Sequence, residues 1–107
     1  MMKIYGLKTC DTCRKAIKVL PQAEFVDVRK DGVPDDVMAQ AQAIFGDTLT
    51  NTRSTTWRAL DDTARQQPQA TLLAAHPALM KRPLIVSGDR MYLGWDAATR
   101  DALGVGA

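Results

Sequence analysis

Cys10 and Cys13 stand three positions apart, just where a β-compatible run gives way to residues that suit a helix start. Residues three apart on a helix share a face, at a separation that a disulfide can bridge without rebuilding the backbone. With Cys10 at the mouth of that helix, the unpaired N–H groups and the positive end of the helix dipole both favour a thiolate there. Lys8, Arg14 and Lys15 add local positive charge. The expected result is a lowered pKa, since such sites bring a thiol from about 8.5 into the range of roughly 3.5 to 7.5. Cys13, one turn deeper, gains less from the helix end and is the natural resolving thiol, able to attack a mixed disulfide on Cys10. Two other readings of the pair exist. It could be plain apolar packing, or part of a zinc site; the latter needs four ligands, and His76 is the one further candidate of nitrogen or sulfur type.

The elements that must position the pair follow from the flanking pattern. Met2–Gly6 reads as a strand, Lys8-Thr9 as a turn, and Asp11 to Leu20 as a helix whose stripe is Cys13, Ala16, Ile17 and Leu20, stopped by Pro21. Glu24 to Val28 alternates polar and apolar residues as a second strand, making a right-handed parallel β-α-β unit. Pro34 opens a second helix that runs to Gly46, with Val37, Ala41 and Ile44 on one face. Thr48 to Thr56 reads as loop or capping sequence, and Trp57 to Leu60 and Ala70 to Ala75 as short helical pieces around the polar stretch Asp61 to Gln69. Leu84 to Val86 and Met91 to Leu93 flank Ser87-Gly88-Asp89-Arg90 as a hairpin, and Asp96 caps a last helix ending before Gly104. A parallel pair, an antiparallel hairpin and helices on the faces make an α/β chain with a thioredoxin-like, glutaredoxin-type core.

The totals narrow the function further. At 107 residues the chain has the size of one domain, 1–107, here with a helical insertion over about 34–80. Fourteen basic against twelve acidic residues, without a basic run, argue against nucleic acid or an anionic membrane as the main partner. No apolar stretch approaches the roughly 20 residues that span a bilayer, and Met1 to Leu7 carries no signal-peptide core. A cytoplasmic location is expected, where a C-x-x-C pair points to catalysis, redox sensing or metal rather than a permanent staple.

Three separated stretches then carry a resemblance: Tyr5-Gly6-Leu7-Lys8-Thr9-Cys10-Asp11-Thr12-Cys13-Arg14-Lys15-Ala16, Asn51-Thr52-Arg53-Ser54-Thr55-Thr56-Trp57, and Lys81-Arg82-Pro83-Leu84-Ile85-Val86 with Leu93-Gly94. In this order they resemble the ArsC/Spx family from about Lys3 to Leu103, and within it the small YffB-type reductase-like proteins. The resemblance implies a thioredoxin fold with an inserted helical subdomain and Cys10 as nucleophile. It also implies Lys8, Arg53 and Arg82 as anion- or substrate-binding residues, and Pro83 as the cis-proline facing the active cysteine. A planar guanidinium can grip a carboxylate or oxyanion with two hydrogen bonds and favours a thiolate nearby.

The activity this implies is a thiol-disulfide reductase, glutathione-linked, with no tightly bound cofactor or metal. Glutathione or a disulfide is its substrate, glutathione the co-substrate, and glutaredoxin a further partner. Two alternatives remain open: an Spx-like regulator whose Cys10/Cys13 disulfide switches docking on RNA polymerase, and an arsenate reductase. Arsenate reductases of the family carry a third arginine after the hairpin; Tyr92-Leu93-Gly94-Trp95 holds none and Arg90 falls early, which weighs against the last.

Overall fold

The computed structural model describes residues 2–104, and these fall into two compact units: the chain up to Asp31 together with the chain from Arg82, and Gly32–Lys81. The first unit contains the sheet. Strand β1 (Met2–Gly6) leads through helix α1 (Asp11–Val19) to β2 (Glu24–Asp27); after the intervening unit come β3 (Leu84–Ser87), β4 (Arg90–Leu93) and a final helix, Ala97–Ala102. The four strands lie in the order β2-β1-β3-β4, with β1 parallel to β2 and antiparallel to β3, and β3 antiparallel to β4. That is the thioredoxin-like arrangement expected from the element order.

Register explains which side the helix covers. Phe25, Ile4, Ile85 and Tyr92 are cross-strand partners in one row, so their side chains share a face. On that face Ala16 and Leu20 of the α1 stripe join Ile4, Ile85 and Trp95 in a buried cluster, with Ile17 and Leu103 packed against it. Burying this many apolar side chains at about 1.5–3 kcal/mol each is what fixes α1 across β1. The helix ends one residue short of expectation because Leu20 leaves helical geometry as its C-cap while remaining buried.

Gly32–Lys81 is the helical unit: α2 (Asp35–Phe45), α3 (Thr55–Ala59), α4 (Asp62–Arg65) and α5 (Gln69–Ala75), with 3₁₀ turns at Gly46–Leu49 and Pro77–Leu79. Its buried apolar residues are Ala41, Leu49, Leu72, Leu73, Leu79 and Met80. The final helix of the other unit becomes α6 (Ala97–Ala102), capped by the Asp96 carboxylate accepting from the Thr99 N–H. Two differences from the sequence reading stand out. Ile44, expected on the buried face of α2 with Val37 and Ala41, is 51% exposed, whereas Ala41 is fully buried. The polar stretch after Leu60 holds a helix of its own, α4, because the Asp61 carboxylate accepts from the Ala64 N–H and Arg65 donates to the Trp57 carbonyl.

Candidate functional site

Cys10 is the N-cap of α1. Its backbone is extended (φ −86°, ψ 120°), its N–H donates to the Leu7 carbonyl, and its own carbonyl accepts the first helical bond from Arg14. Because the side chain of an N-cap projects beside the free N–H groups of the first turn, the helix presents donors to the sulfur. Cys13 lies one turn on and is fully buried; Cys10 is half-buried; both are free thiols.

The two sulfurs are held in opposite states. Burial works against ionisation of Cys10, but it is outweighed: the Cys13 backbone N–H and the Cys13 thiol donate to its sulfur, and the Arg82 guanidinium donates another hydrogen bond and adds its charge. The net pKa is below the ordinary thiol value. Cys13 is pushed up to about 11, by burial first and then by the hydrogen bond and charge of Cys10, against the Leu7 backbone N–H and the Arg82 charge. The surroundings therefore favour ionisation of the Cys10 sulfur and keep the proton on Cys13. This is an arrangement for thiol redox chemistry.

Gly6 explains why Cys13 can sit where it does. Period-two alternation puts Gly6 on the same face as Ile4, under α1. A Cβ on Gly6 would lie 2.5 Å from the Cys13 sulfur and 3.3 Å from its Cβ, so only glycine leaves room for the side chain. Sequence reading missed this residue. The signal was available: a glycine ending the inward row of a strand immediately before a C-x-x-C helix.

The other expected site residues are placed as follows. Arg82 is half-buried, acts on Cys10 as described, and is joined to the buried Pro83 by a cis peptide bond; the Pro83 carbonyl accepts from the Gly94 N–H at 2.8 Å. Lys8 is exposed and is not among the groups acting on the Cys10 sulfur; its carbonyl accepts from Arg14 Nε at 2.6 Å, which braces the turn before the helix. Arg53 belongs to the helical unit and is exposed. It sits in a turn where its N–H donates to Asn51 Oδ1 at 3.1 Å and Ser54 Oγ, itself bonded to the Asn51 carbonyl, caps α3. His76 is the half-buried C-cap of α5. Among the described residues no three His, Cys, Asp or Glu side chains cluster as metal ligands, and no helix is long and apolar enough to cross a membrane.

Known proteins resemble this chain in sequence and in fold. An uncharacterized protein of Haemophilus influenzae is 38% identical over 105 residues, covering 90% of this chain and 92% of its own. Among solved structures, a protein named YffB superposes with a TM-score of 0.83 at 28% identity, over 95% of this chain and 97% of its own. A possible arsenate reductase from Streptococcus mutans gives a TM-score of 0.75 at 27% identity, again over 95% and 97%. The ArsC family pattern matches residues 5–103, a span that takes in the cysteine pair, Arg53 and Arg82, and on that match the chain belongs to the ArsC family.

Proposed function

We propose that this chain is a glutathione-linked thiol-disulfide reductase with Cys10 as its nucleophile. The observation that carries the reading is the Cys10 sulfur at the helix mouth, held toward its anion by Arg82, the Cys13 N–H and the Cys13 thiol. Its thiolate attacks a glutathione mixed disulfide at the glutathione sulfur; the old S–S bond breaks and the leaving thiolate takes a proton from solvent. The Cys10–glutathione disulfide is then resolved in one of two ways. A second glutathione thiolate attacks it, releasing oxidised glutathione and restoring Cys10, or Cys13 gives its proton to solvent and attacks the Cys10 sulfur, breaking the Cys10–glutathione bond, expelling glutathione as the thiolate and leaving a Cys10–Cys13 disulfide for glutathione or a glutaredoxin to reduce. In this reading Arg53 holds a substrate carboxylate, Lys8 contributes positive charge at the approach, and Pro83 fixes the segment that carries Arg82. A reducing, glutathione-containing compartment such as the cytoplasm suits this chemistry.

The test is alkylation of each cysteine across pH by mass spectrometry, followed by trapping with oxidised glutathione. Cys10 should alkylate well below the pH at which a free thiol does, should carry a single glutathione after trapping, and should be required for mixed-disulfide turnover. A Cys10→Ser variant with full activity would sink the proposal.

A further inference from the structure

Each sulfur of the cysteine pair has a backbone donor of its own, and the two share one cation. The Cys13 N–H donates to the Cys10 sulfur and the Leu7 N–H to the Cys13 sulfur. The charge of the Arg82 guanidinium acts on both. A single ionised sulfur would be served by the first of these donors alone. Donors aimed at both sulfurs, with a positive charge in common, are what the outer shell of a metal-bound pair of thiolates requires.

One proton separates the pair from that state. The Cys13 thiol donates to the Cys10 sulfur, so the two sulfurs already lie on either side of a shared hydrogen. Burial keeps that proton on Cys13 first, then the hydrogen bond to Cys10 and the repulsion that two bare thiolates would feel. A monovalent cation in the same place removes the repulsion and leaves the net charge of the site unchanged. Arg82 balances the one excess negative charge in either form.

Ligand number and type then select the ion. Thiolates take soft ions, and zinc completes a shell of four. Among the described residues no group of three His, Cys, Asp or Glu side chains forms, so the pair offers two sulfurs and no more. Cys13 is fully buried, with its sulfur packed against Gly6, which keeps further ligands from that side; the half-buried Cys10 is the way in. We infer that Cys10 and Cys13 form a two-coordinate site for a soft, closed-shell monovalent cation of the Cu(I) class, with Arg82 and the Leu7 and Cys13 N–H groups as its outer shell. Binding exchanges the Cys13 proton for the ion: two metal–sulfur bonds form, one proton passes to solvent, and neither sulfur changes oxidation state. This needs the pair and Arg82 alone, so it stands apart from the reductase reading.

The experiment reads binding without turnover. Reduced protein is titrated, free of oxygen, into the coloured complex of Cu(I) with bicinchoninate, whose fading follows transfer of the ion. One equivalent should transfer, and X-ray absorption of the loaded wild type should show two sulfur neighbours with no nitrogen or third sulfur. Cys10→Ser and Cys13→Ser, checked for folding by circular dichroism, should each leave the ion with bicinchoninate. Arg82→Met should keep the two-sulfur shell and bind about ten- to a hundredfold more weakly, the range for loss of an outer-shell partner. Absence of transfer, a shell of three or more ligands, or a folded Cys13→Ser that binds as the wild type does overturns the site, and X-ray absorption decides it even where a variant fails to fold. Wild-type affinity in Arg82→Met overturns the outer shell.

Discussion

The Arg82 guanidinium donates a hydrogen bond to the Cys10 sulfur, from a position that the chain reaches only after the whole helical unit has been passed. A hydrogen bond to an ionised group contributes about 1.5–3 kcal/mol, and here it adds to the charge itself in favouring the thiolate. Arg82→Met should slow iodoacetamide labelling of Cys10 at pH 7 by about tenfold or more, because a smaller share of the sulfur is ionised. The labelling profile should move to higher pH with an unchanged plateau. An unmoved profile would show that the helix mouth and Cys13 suffice.

Cys13 makes a prediction about alkaline stability. Its folded pKa, about 11, lies above the value of about 8.5 it has in the unfolded chain. Below pH 8 the thiol is protonated in both states and has no linkage effect. Between about pH 8.5 and 11 the unfolded chain gives up that proton while the folded one keeps it, so stability falls as pH rises, by as much as about 3 kcal/mol. Urea unfolding at pH 7.5 and pH 10.5 should show this loss in the wild type and less of it in Cys13→Ala. Equal losses in both proteins would assign the alkaline sensitivity to other groups. Cys10, whose folded pKa is depressed, has the opposite sign: its contribution is complete above the unfolded thiol pKa and is lost as pH falls through the folded one.

Gly6→Ala should destabilise the fold through Cys13 specifically. The new methyl would sit 2.5 Å from a sulfur that is itself fully buried. Overpacking of this kind costs about 1–3 kcal/mol, a fall in Tm of roughly 5–15 °C for a domain of this size. The double variant Gly6→Ala/Cys13→Ala removes the clashing atom and should recover more than half of the stability lost by Gly6→Ala. Calorimetry of the single and double variants decides it, and strictly additive losses would mean that the contact is not the cause.

The strands and α1 were legible because each carries a period that burial enforces. Ile4 and Ile85 must face the helix that presents Ala16 and Leu20, and their alternation says so. The helical unit was less legible. Ile44 continues the apolar spacing of α2, but the covered stripe runs through Met38, Ala41, Gln42 and Phe45 and leaves Ile44 outside it, and α4 is held by the Asp61 cap and the Arg65 contacts to carbonyls, which leave no apolar rhythm to read. At the site, the cysteine spacing and the helix start are local features. Arg82 acts on Cys10 through tertiary structure, so nothing near either residue announces the pairing, and only the family motif suggested it. The close approach of Gly6 to Cys13 is likewise a property of how the helix crosses the strand.

The discontinuity of the sheet-bearing unit has a consequence for how the thiol is switched on. As the polypeptide is synthesised, the first strand, the cysteine pair and the second strand emerge long before Arg82 and the hairpin that completes the sheet. Until then Cys10 lacks the Arg82 hydrogen bond and charge that favour its ionisation. The last contribution to the Cys10 electrostatics is thus supplied by the segment made after the helical unit, so a chain ending before Arg82 would hold the cysteine pair without it.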